Sequence, residues 1–455
     1  MSTLPNYFLA DLPPEAELTP TVITEACQTL KRNREKYLAG RPTQSLIRLL
    51  ADVAESWLQP GYPFRKKALE LGPAATGFSS PTFTAGLDQF FQQLNVQNLQ
   101  ALVLQEFGHL QRMDHLTANE WEQRLERSSF VRGPELLVHI TGGVIPNATL
   151  QSIVNGLLLR AAQFVKCASG TALIPRLFAH SLYEADPKLG ACLEIAEWKG
   201  GQHPIESALF AEADAVTATG SDETLEKLRS VVPSQTPFVP YGHRVSFAFV
   251  AREMLIGAKA QQVIHRAARE VAAWNQLGCL SPHAVYVEVG GAVSPEQFAE
   301  RLGAELDQLE QSEPRGPVWP PEESTVISTR RAFYEVRAAG SDETRMWFSR
   351  GSTAWTVIYE TDPRFQHSCL NRFVYVKPVA NLQQALQAVD AIRLHVSTVG
   401  LAAGDERLEQ IANQLARWGA PRICTLGQMQ NPPLTWRHDG WPALGRLVRW
   451  TDWEQ

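Results

Sequence analysis

The chain has 455 residues, 44% of them apolar and 20% charged, with a formal net charge of -6. That length exceeds one ordinary core and predicts two or three domains of a soluble globular protein, while the lack of acidic or basic blocks argues against a nucleic-acid surface or a polybasic membrane anchor. Met1-Ser2-Thr3-Leu4-Pro5 has no positive segment leading into an apolar one, no window reaches the length of a membrane span, and six scattered cysteines fit a reducing cytoplasm.

Residues 1 to about 130 read as mostly helical, with polar and apolar positions mixed at helical spacing through Thr43 to Leu58 and Leu87 to Arg112. The pattern changes at Glu135-Leu136-Leu137-Val138-His139-Ile140, a short apolar run ending at Gly142-Gly143. Leu150, Ile153, Val154, Leu157 and Leu158 then recur at helix spacing. Strand-like pieces follow at Gln163 to Cys167, Cys192 to Glu197 and Asp214 to Thr219, the last leading into a helix from Ser221. Short apolar strands alternating with helices predict βαβ units and a parallel sheet covered on both faces, the architecture of a dinucleotide-binding domain. Its expected bounds are 131–252, with the helical region 1–130 joined to it.

A second α/β region, 253–425, is expected from a helix over Glu253 to Asn275, a strand over Ala284 to Val289 and a helix over Pro295 to Gln311. A Pro-rich break at Pro314 to Pro321, strands at Trp355 to Glu360 and Phe373 to Val379, and further alternation ending at Arg422-Ile423-Cys424-Thr425 complete it. The tail, 426–455, holds Trp436, Trp441, Trp450 and Trp453. Exposed aromatics at that density promote aggregation, so the tail is expected to pack on another domain or subunit.

Cys279 stands apart from the other cysteines. In Gln276-Leu277-Gly278-Cys279-Leu280-Ser281-Pro282-His283-Ala284-Val285, a helical stretch precedes it, a glycine permits a tight turn beside it, and a strand-like run follows. That layout predicts an exposed turn between helix and strand, where a thiolate can attack a bound carbonyl. Cys27, Cys167, Cys192 and Cys424 lie in apolar runs and are expected to be buried; Cys369, in His367-Ser368-Cys369-Leu370-Asn371, is loop-like and ranks second. No CxxC pair and no His/Cys cluster of zinc-site spacing occurs, so neither a redox disulfide nor a metal is indicated.

No GxGxxG is present, so a dinucleotide needs another cradle. Thr219-Gly220-Ser221-Asp222-Glu223-Thr224 closes a strand and opens a helix, where Ser221 or Asp222 can cap and free N–H groups can take a phosphate. The same residues also make an ordinary helix cap. Lys166, ending its strand, can reach a ribose or phosphate, or simply be solvated.

The order of an apolar strand, Pro146-Asn147, a long helix, Val165-Lys166, Gly220-Ser221 and Gly278-Cys279 resembles the aldehyde dehydrogenase superfamily. Within it, Pro146-Asn147-Ala148-Thr149-Leu150-Gln151-Ser152, Tyr241-Gly242-His243-Arg244-Val245-Ser246-Phe247, Gly278-Cys279-Leu280-Ser281-Pro282 and Pro433-Leu434-Thr435-Trp436-Arg437-His438-Asp439-Gly440 are similar to LuxC-type acyl-CoA reductases. The resemblance runs from about residue 130 to the C-terminus. It implies an α/β, aldehyde dehydrogenase-like fold: a Rossmann-type cofactor domain, an α/β catalytic domain and a helical N-terminal region. It implies Cys279 as the acyl-accepting nucleophile, with the Asn147 amide and the Cys279 N–H as donors to the oxyanion. It also implies Lys166 at the adenosine ribose or its phosphate, and Gly220, Ser221 and Thr224 at the pyrophosphate. Without the resemblance, Asn147 equally suits a turn capping the next helix.

Two departures bear on the reaction. Oxidising members of the superfamily place a glutamate before the cysteine to activate the hydrolytic water, whereas Phe238-Val239-Pro240-Tyr241-Gly242-His243 has no carboxylate, which favours acyl transfer and reduction. NAD-selective members often carry a glutamate three residues after the lysine; Ser169 stands there, so NADPH is expected. The expected activity is NADPH-dependent reduction of a fatty acyl-CoA, or another activated acyl thioester, through acyl-Cys279, with His283 and His243 as candidate acids. The alternatives are a CoA-acylating short-chain or semialdehyde dehydrogenase and a non-catalytic acyl-holding scaffold. The resemblance further implies an acyl-activating synthetase partner and a homo-oligomer.

Overall fold

Residues 4–13, 15–316 and 322–454 are described by the computed structural model. Five strands lie parallel in the order Leu193–Glu197, Ala162–Cys167, Leu136–Ile140, Ala215–Thr219, Phe238–Tyr241. The chain starts in the middle strand and builds first to one side, then to the other, so a crevice opens where the order reverses, beyond the carboxyl ends of Leu136–Ile140 and Ala215–Thr219. Every residue of Leu136–Ile140 and Ala162–Cys167 is buried, as a sheet covered on both faces requires.

Helices Pro20–Tyr37 and His203–Glu212 cover one face, packing Ile23, Cys27, Leu209 and Phe210 on Val138 and Phe164. Thr43–Leu58, Ser80–Gln93, Asn147–Leu158 and Leu173–Ala185 cover the other, where Leu50, Trp57, Phe83, Leu157 and Leu177 share one core with Leu137 and Val165. The N-terminal helices therefore belong to the core of the five-stranded sheet. The helical spacing from Leu87 to Arg112 resolves into two helices, Ser80–Gln93 and Val96–Phe107, because the Asn95 side chain caps the second and Gly108, at φ 71, ends it.

The second sheet has seven strands in the order Ile423–Thr425, Val396–Ala402, Val245–Val250, Pro282–Glu288, Phe373–Val379, Thr356–Glu360, Thr344–Phe348, all parallel except the last. Val245–Val250, buried throughout, belongs here. The chain therefore crosses between the sheets over residues 242–244 rather than at 252. Arg127–Arg132, expected within the helical region, is a strand, and the tail strand Arg449–Glu454 pairs antiparallel with it. Trp441, Trp450 and Trp453 stay exposed. Of the Pro-rich break, residues 317–321 lie outside the described residues. Among the described residues no helix is long and apolar enough to cross a membrane.

The helix expected over Glu253 to Asn275 is Gly257–Ala272, because Trp274, Asn275 and Gln276 turn left-handed at φ 49, 52 and 63. Opposite them, Leu370, Asn371 and Arg372 do the same at φ 57, 54 and 64. Such conformations cost about 1–2 kcal/mol per non-glycine residue and persist only where the surroundings enforce them. Arg372, wholly buried, donates to Asn275 Oδ1 at 3.3 Å, to the Glu313 carbonyl at 2.9 Å and to Glu310 at 2.9 Å. The Phe373 N–H donates to Gln276 Oε1 at 2.8 Å, while Gln276 Nε2 donates to the Pro282 carbonyl at 2.8 Å and Asn275 Nδ2 to the Arg315 carbonyl at 2.9 Å. Replacing Arg372 by Met leaves its Asn275, Glu310 and Glu313 acceptors without this donor and is expected to remove about 3 kcal/mol of stability, read as a lower urea midpoint. A loss below about 1 kcal/mol would show that the paired turns stand without it.

Candidate active site

The segment carrying Cys279 begins where the left-handed turn ends. The Leu277 N–H donates to the Trp274 carbonyl at 2.9 Å and the Ser281 N–H to the Gly278 carbonyl at 3.0 Å. Ser246 Oγ donates to the Cys279 carbonyl at 2.7 Å and accepts from the Thr398 N–H at 3.1 Å, fastening the loop to two adjacent strands. Gln430 Nε2 donates to Ser281 Oγ at 3.1 Å. Gln430 is itself held by Glu270, whose carboxylate accepts the Met429 and Gln430 N–H groups at 2.7 and 3.2 Å. Burial pushes the Glu270 carboxyl up to about 7, against those backbone donors.

Cys279 is half-buried, not on an exposed turn, because strands and tail close over the loop that bears it. Burial, and after it the Asp439 carboxylate, push its thiol up to about 11; the Ser397 hydroxyl, its own amide and Arg244 act the other way. The resting sulfur at neutral pH is a thiol. Cys27, Cys167 and Cys192 are buried, with thiols pushed up to about 12 by burial. Cys424, expected to be buried, is half-buried, while Cys369, on a loop as expected, is buried there with its thiol raised.

Asn147 comes to the same cleft indirectly. Its side-chain nitrogen donates to the Gly86 carbonyl at 2.9 Å rather than to anything at Cys279, and its Oδ1 is buried without a partner. Its side chain makes no helix cap. Trp274 lies against Gly86 so closely that a Cβ there would meet the indole at 1.9 Å, and Ile145 approaches Gly278 to 3.4 Å of a Cβ position. Helix Ser80–Gln93, the loop before Asn147 and the Cys279 turn are thus one packed unit.

His283 is buried and accepts the Ser368 N–H on Nδ1 at 3.1 Å. Burial, then His367 and His243, hold it down to about 3, so it is neutral at physiological pH and structural rather than a proton donor. His243 is exposed, and its N–H donates to Asp222 Oδ1 at 3.1 Å.

The cofactor candidates line the crevice of the first sheet. Lys166 is buried, with Nζ 5.6 Å from the Trp198 ring centre; burial lowers it, opposed by the Glu206 and Glu197 carboxylates. Trp198 Nε1 is buried without a partner. Ser169 is exposed on the following loop, where the Gly170 N–H donates to Glu197 at 2.7 Å. Gly142 closes the two central strands at the switch point, since a Cβ there would stand 2.9 Å from the Thr219 carbonyl oxygen. Beyond Gly220, Ser221 caps helix Asp222–Val231 by accepting the Thr224 N–H at 3.3 Å, with the two hydroxyls 2.9 Å apart. An unsatisfied indole donor beside a strand-end ammonium, and open glycines over the crevice, suit the ribose and phosphates of a dinucleotide.

The structure adds residues that had no assigned role. Arg244 Nε lies 3.1 Å from Asp439 Oδ2, and Asp439 adopts φ 54 in the turn after His438. The His438 ring stacks on Tyr241 at 4.9 Å and lies 4.6 Å from Trp436. Asp439 Oδ1 and Trp436 Nε1 are buried without hydrogen-bond partners. Arg244, Trp436, His438 and Asp439 fall inside two of the segments that carry the resemblance, but nothing in their spacing announces that the segments meet. Among the described residues no group of three or more His, Cys, Asp or Glu side chains is placed to hold a metal.

A family model described as Acyl-CoA reductase (LuxC) matches residues 38–450. The Long-chain acyl-protein thioester reductase 2 of Photobacterium leiognathi is 22% identical over 327 residues, 70% of this chain and 64% of that protein. The Long-chain acyl-protein thioester reductase of Vibrio harveyi is 21% identical over 322 residues, with the same coverage of 70% and 64%. The chain thus matches about 64% of the length of these curated relatives. In fold it is similar to an NAD-dependent benzaldehyde dehydrogenase from Corynebacterium glutamicum, with a TM-score of 0.70 at 12% identity over 96% of this chain and 91% of that one. The fold is that of an aldehyde dehydrogenase.

With its thiol raised, Cys279 in the ligand-free protein should alkylate slowly at neutral pH. Its rate with iodoacetamide, taken as the difference from Cys279→Ala, is expected to keep rising about tenfold per pH unit between pH ~7 and ~10, past the ~8.5 at which an ordinary thiol levels off. A plateau near pH ~7–8 would contradict the raised thiol.

Proposed function

The chain belongs to the LuxC family of acyl-CoA reductases, and from that premise we propose that it reduces a fatty acyl thioester to the aldehyde through an acyl group carried on Cys279. The observation that carries this reading is the setting of Cys279: a half-buried thiol on a loop fastened by Ser246, with the Asp439 carboxylate, the Ser397 hydroxyl and Arg244 acting on it. Asp439 Oδ1 is buried without a hydrogen-bond partner, and since such an atom costs about 1–3 kcal/mol it suits a polar group that arrives with substrate.

In this reading the sulfur attacks the acyl carbonyl as its proton leaves, and the carrier thiol departs. Asn147 spends one amide hydrogen on Gly86 and keeps a second for the oxyanion, alongside the Cys279 N–H. Phe238–Tyr241, the strand entering the site, carries no carboxylate where oxidising members of the superfamily place their water-activating glutamate, which favours reduction of the thioester on Cys279 over its hydrolysis. A nicotinamide dinucleotide, when bound, supplies the hydride. Lys166, Trp198, Gly220, Ser221 and Thr224 would hold it. Lys166 offers a 2′-phosphate a cation while Ser169 offers no opposing charge and Glu197 is occupied by the Gly170 N–H, which supports NADPH. The hemithioacetal left on Cys279 collapses by returning its electrons to sulfur, and the aldehyde leaves.

Both curated relatives are named for acyl-protein thioesters, which favours a protein-borne acyl group as a second donor beside acyl-CoA and fits an acyl-activating synthetase as partner. The exposed Trp441, Trp450 and Trp453 suit a contact with a second copy.

The Cys279→Ala variant is expected to lose at least about 10³-fold in aldehyde formation from a long-chain acyl-CoA while still binding NADPH. Aldehyde formation close to the unmodified rate would refute the role of this thiol. Lys166→Ala should raise KM for NADPH about tenfold or more and leave KM for NADH within about threefold; equal losses with both cofactors would remove the assignment of Lys166 to the 2′-phosphate.

A further inference from the structure

Of the unpartnered buried atoms near Cys279, one belongs to a carboxylate. Asp439 is 8% exposed in its side chain; Oδ2 pairs with Arg244, and Oδ1 has no hydrogen-bond partner. Its place beside the thiol follows from two neighbours on the chain, one at the start of strand Val245–Val250 and one in the crossing segment just before it. Ser246 carries the Cys279 carbonyl, and Arg244, two residues earlier, carries Asp439. The backbone of Asp439 is left-handed at φ 54, a cost that the stacking of His438 on Tyr241 and Trp436 and the Gly440 N–H bond to the Arg437 carbonyl at 3.0 Å hold in place.

We propose that Asp439 Oδ1 accepts the proton of the Cys279 thiol during acyl transfer, with Arg244 as its positioning residue. This rests on the reading of Cys279 as the acylated group. As the new sulfur–carbon bond forms, the S–H bond breaks and its proton passes to Oδ1. The donor's carbon–sulfur bond then breaks, and the departing thiolate takes that proton. Nothing is oxidised or reduced in this half of the reaction. After reduction, the sulfur expelled from the hemithioacetal recovers a solvent proton by the same oxygen.

The charged and titratable groups facing Asp439 are Arg244 from the crossing segment, Tyr241 at the end of its strand, His438 beside it and Cys279, while Arg446 from the tail faces Tyr241. Arg422, ahead of the last strand, faces Cys279 from the other side. Burial keeps His438 below its ordinary value and therefore neutral, so among these groups the carboxylate is the base. Asp439 is also, after burial, the group that disfavours the free thiolate, so a proton handed to it relieves the repulsion between the two anions.

The test compares Asp439→Asn and Arg244→Gln with the unmodified protein in two measurements. The first is single-turnover labelling by radiolabelled palmitoyl-CoA, and the second is the pH dependence of Cys279 alkylation by iodoacetamide, with NADPH binding as the folding control. Asp439→Asn should slow labelling about 10²-fold or more while moving alkylation to lower pH, because a negative charge has left. Arg244→Gln should also slow labelling but move alkylation to higher pH. If Asp439→Asn does not bind NADPH, Asp439→Glu takes its place and is expected to label at least tenfold faster than Asp439→Ala. Labelling by Asp439→Asn within about threefold of the unmodified rate, or two variants whose alkylation profiles move the same way, would overturn the proposal. So would a variant that acylates normally and only hydrolyses its acyl group more slowly, which would make Asp439 a base for water. Absence of label from Cys279 in the unmodified protein would instead overturn the underlying reading.

Discussion

The place of the Cys279 sulfur depends on two left-handed tripeptides held face to face. Trp274-Asn275-Gln276 turns the chain out of helix Gly257–Ala272, and Leu370-Asn371-Arg372 turns it into strand Phe373–Val379. Neither run contains a glycine, so each conformation is imposed from outside, chiefly by the Arg372 guanidinium and the Asn275 and Gln276 amides. The same turn sends Trp274 against Gly86, whose carbonyl orients Asn147. One strained element therefore sets Cys279 and Asn147 together, and the N-terminal helices reach both through it.

Around that fixed sulfur the electrostatics oppose idle ionisation. Burial and Asp439 disfavour the thiolate; Arg244 and Ser397 favour it. A thiol kept protonated at rest is a poor target for oxidation and adventitious alkylation, because the thiolate is the reactive form. In the proposed reaction the sulfur becomes nucleophilic only as its proton is taken up and a carbonyl approaches. The buried Asp439 oxygen without a hydrogen-bond partner belongs to the same proposal, since preorganised polar groups in a cleft with little water act more strongly on developing charge than the same groups in solvent.

Features that arise from local periodicity were legible in the chain. Thr43–Leu58 and Phe373–Val379 run between the bounds that their apolar spacing implies, and the alternation from residue 135 to 219 does produce a parallel sheet. Other features were hidden by tertiary constraint. Val245–Val250 is a fully buried strand whose sequence looks like a continuation of the first domain, and only its pairing with Val396–Ala402 and Pro282–Glu288 assigns it to the second. The left-handed turns lack the glycines that would advertise them. The turn around Cys279 was visible, but the closure of strands and tail over it was not, and this is why an exposed thiol was expected where a half-buried one stands. Arg244 and Asp439 lie in segments similar to the family, yet their ion pair joins positions too distant for spacing to connect.

The most direct measurement is mass spectrometry of protein mixed with palmitoyl-CoA in the absence of reductant, quenched in acid and digested. The account predicts one palmitoyl adduct, on the peptide containing Cys279, that disappears when NADPH is added before the quench as aldehyde accumulates. Aldehyde formed with no adduct on that peptide, or with the adduct on a different residue, would contradict it.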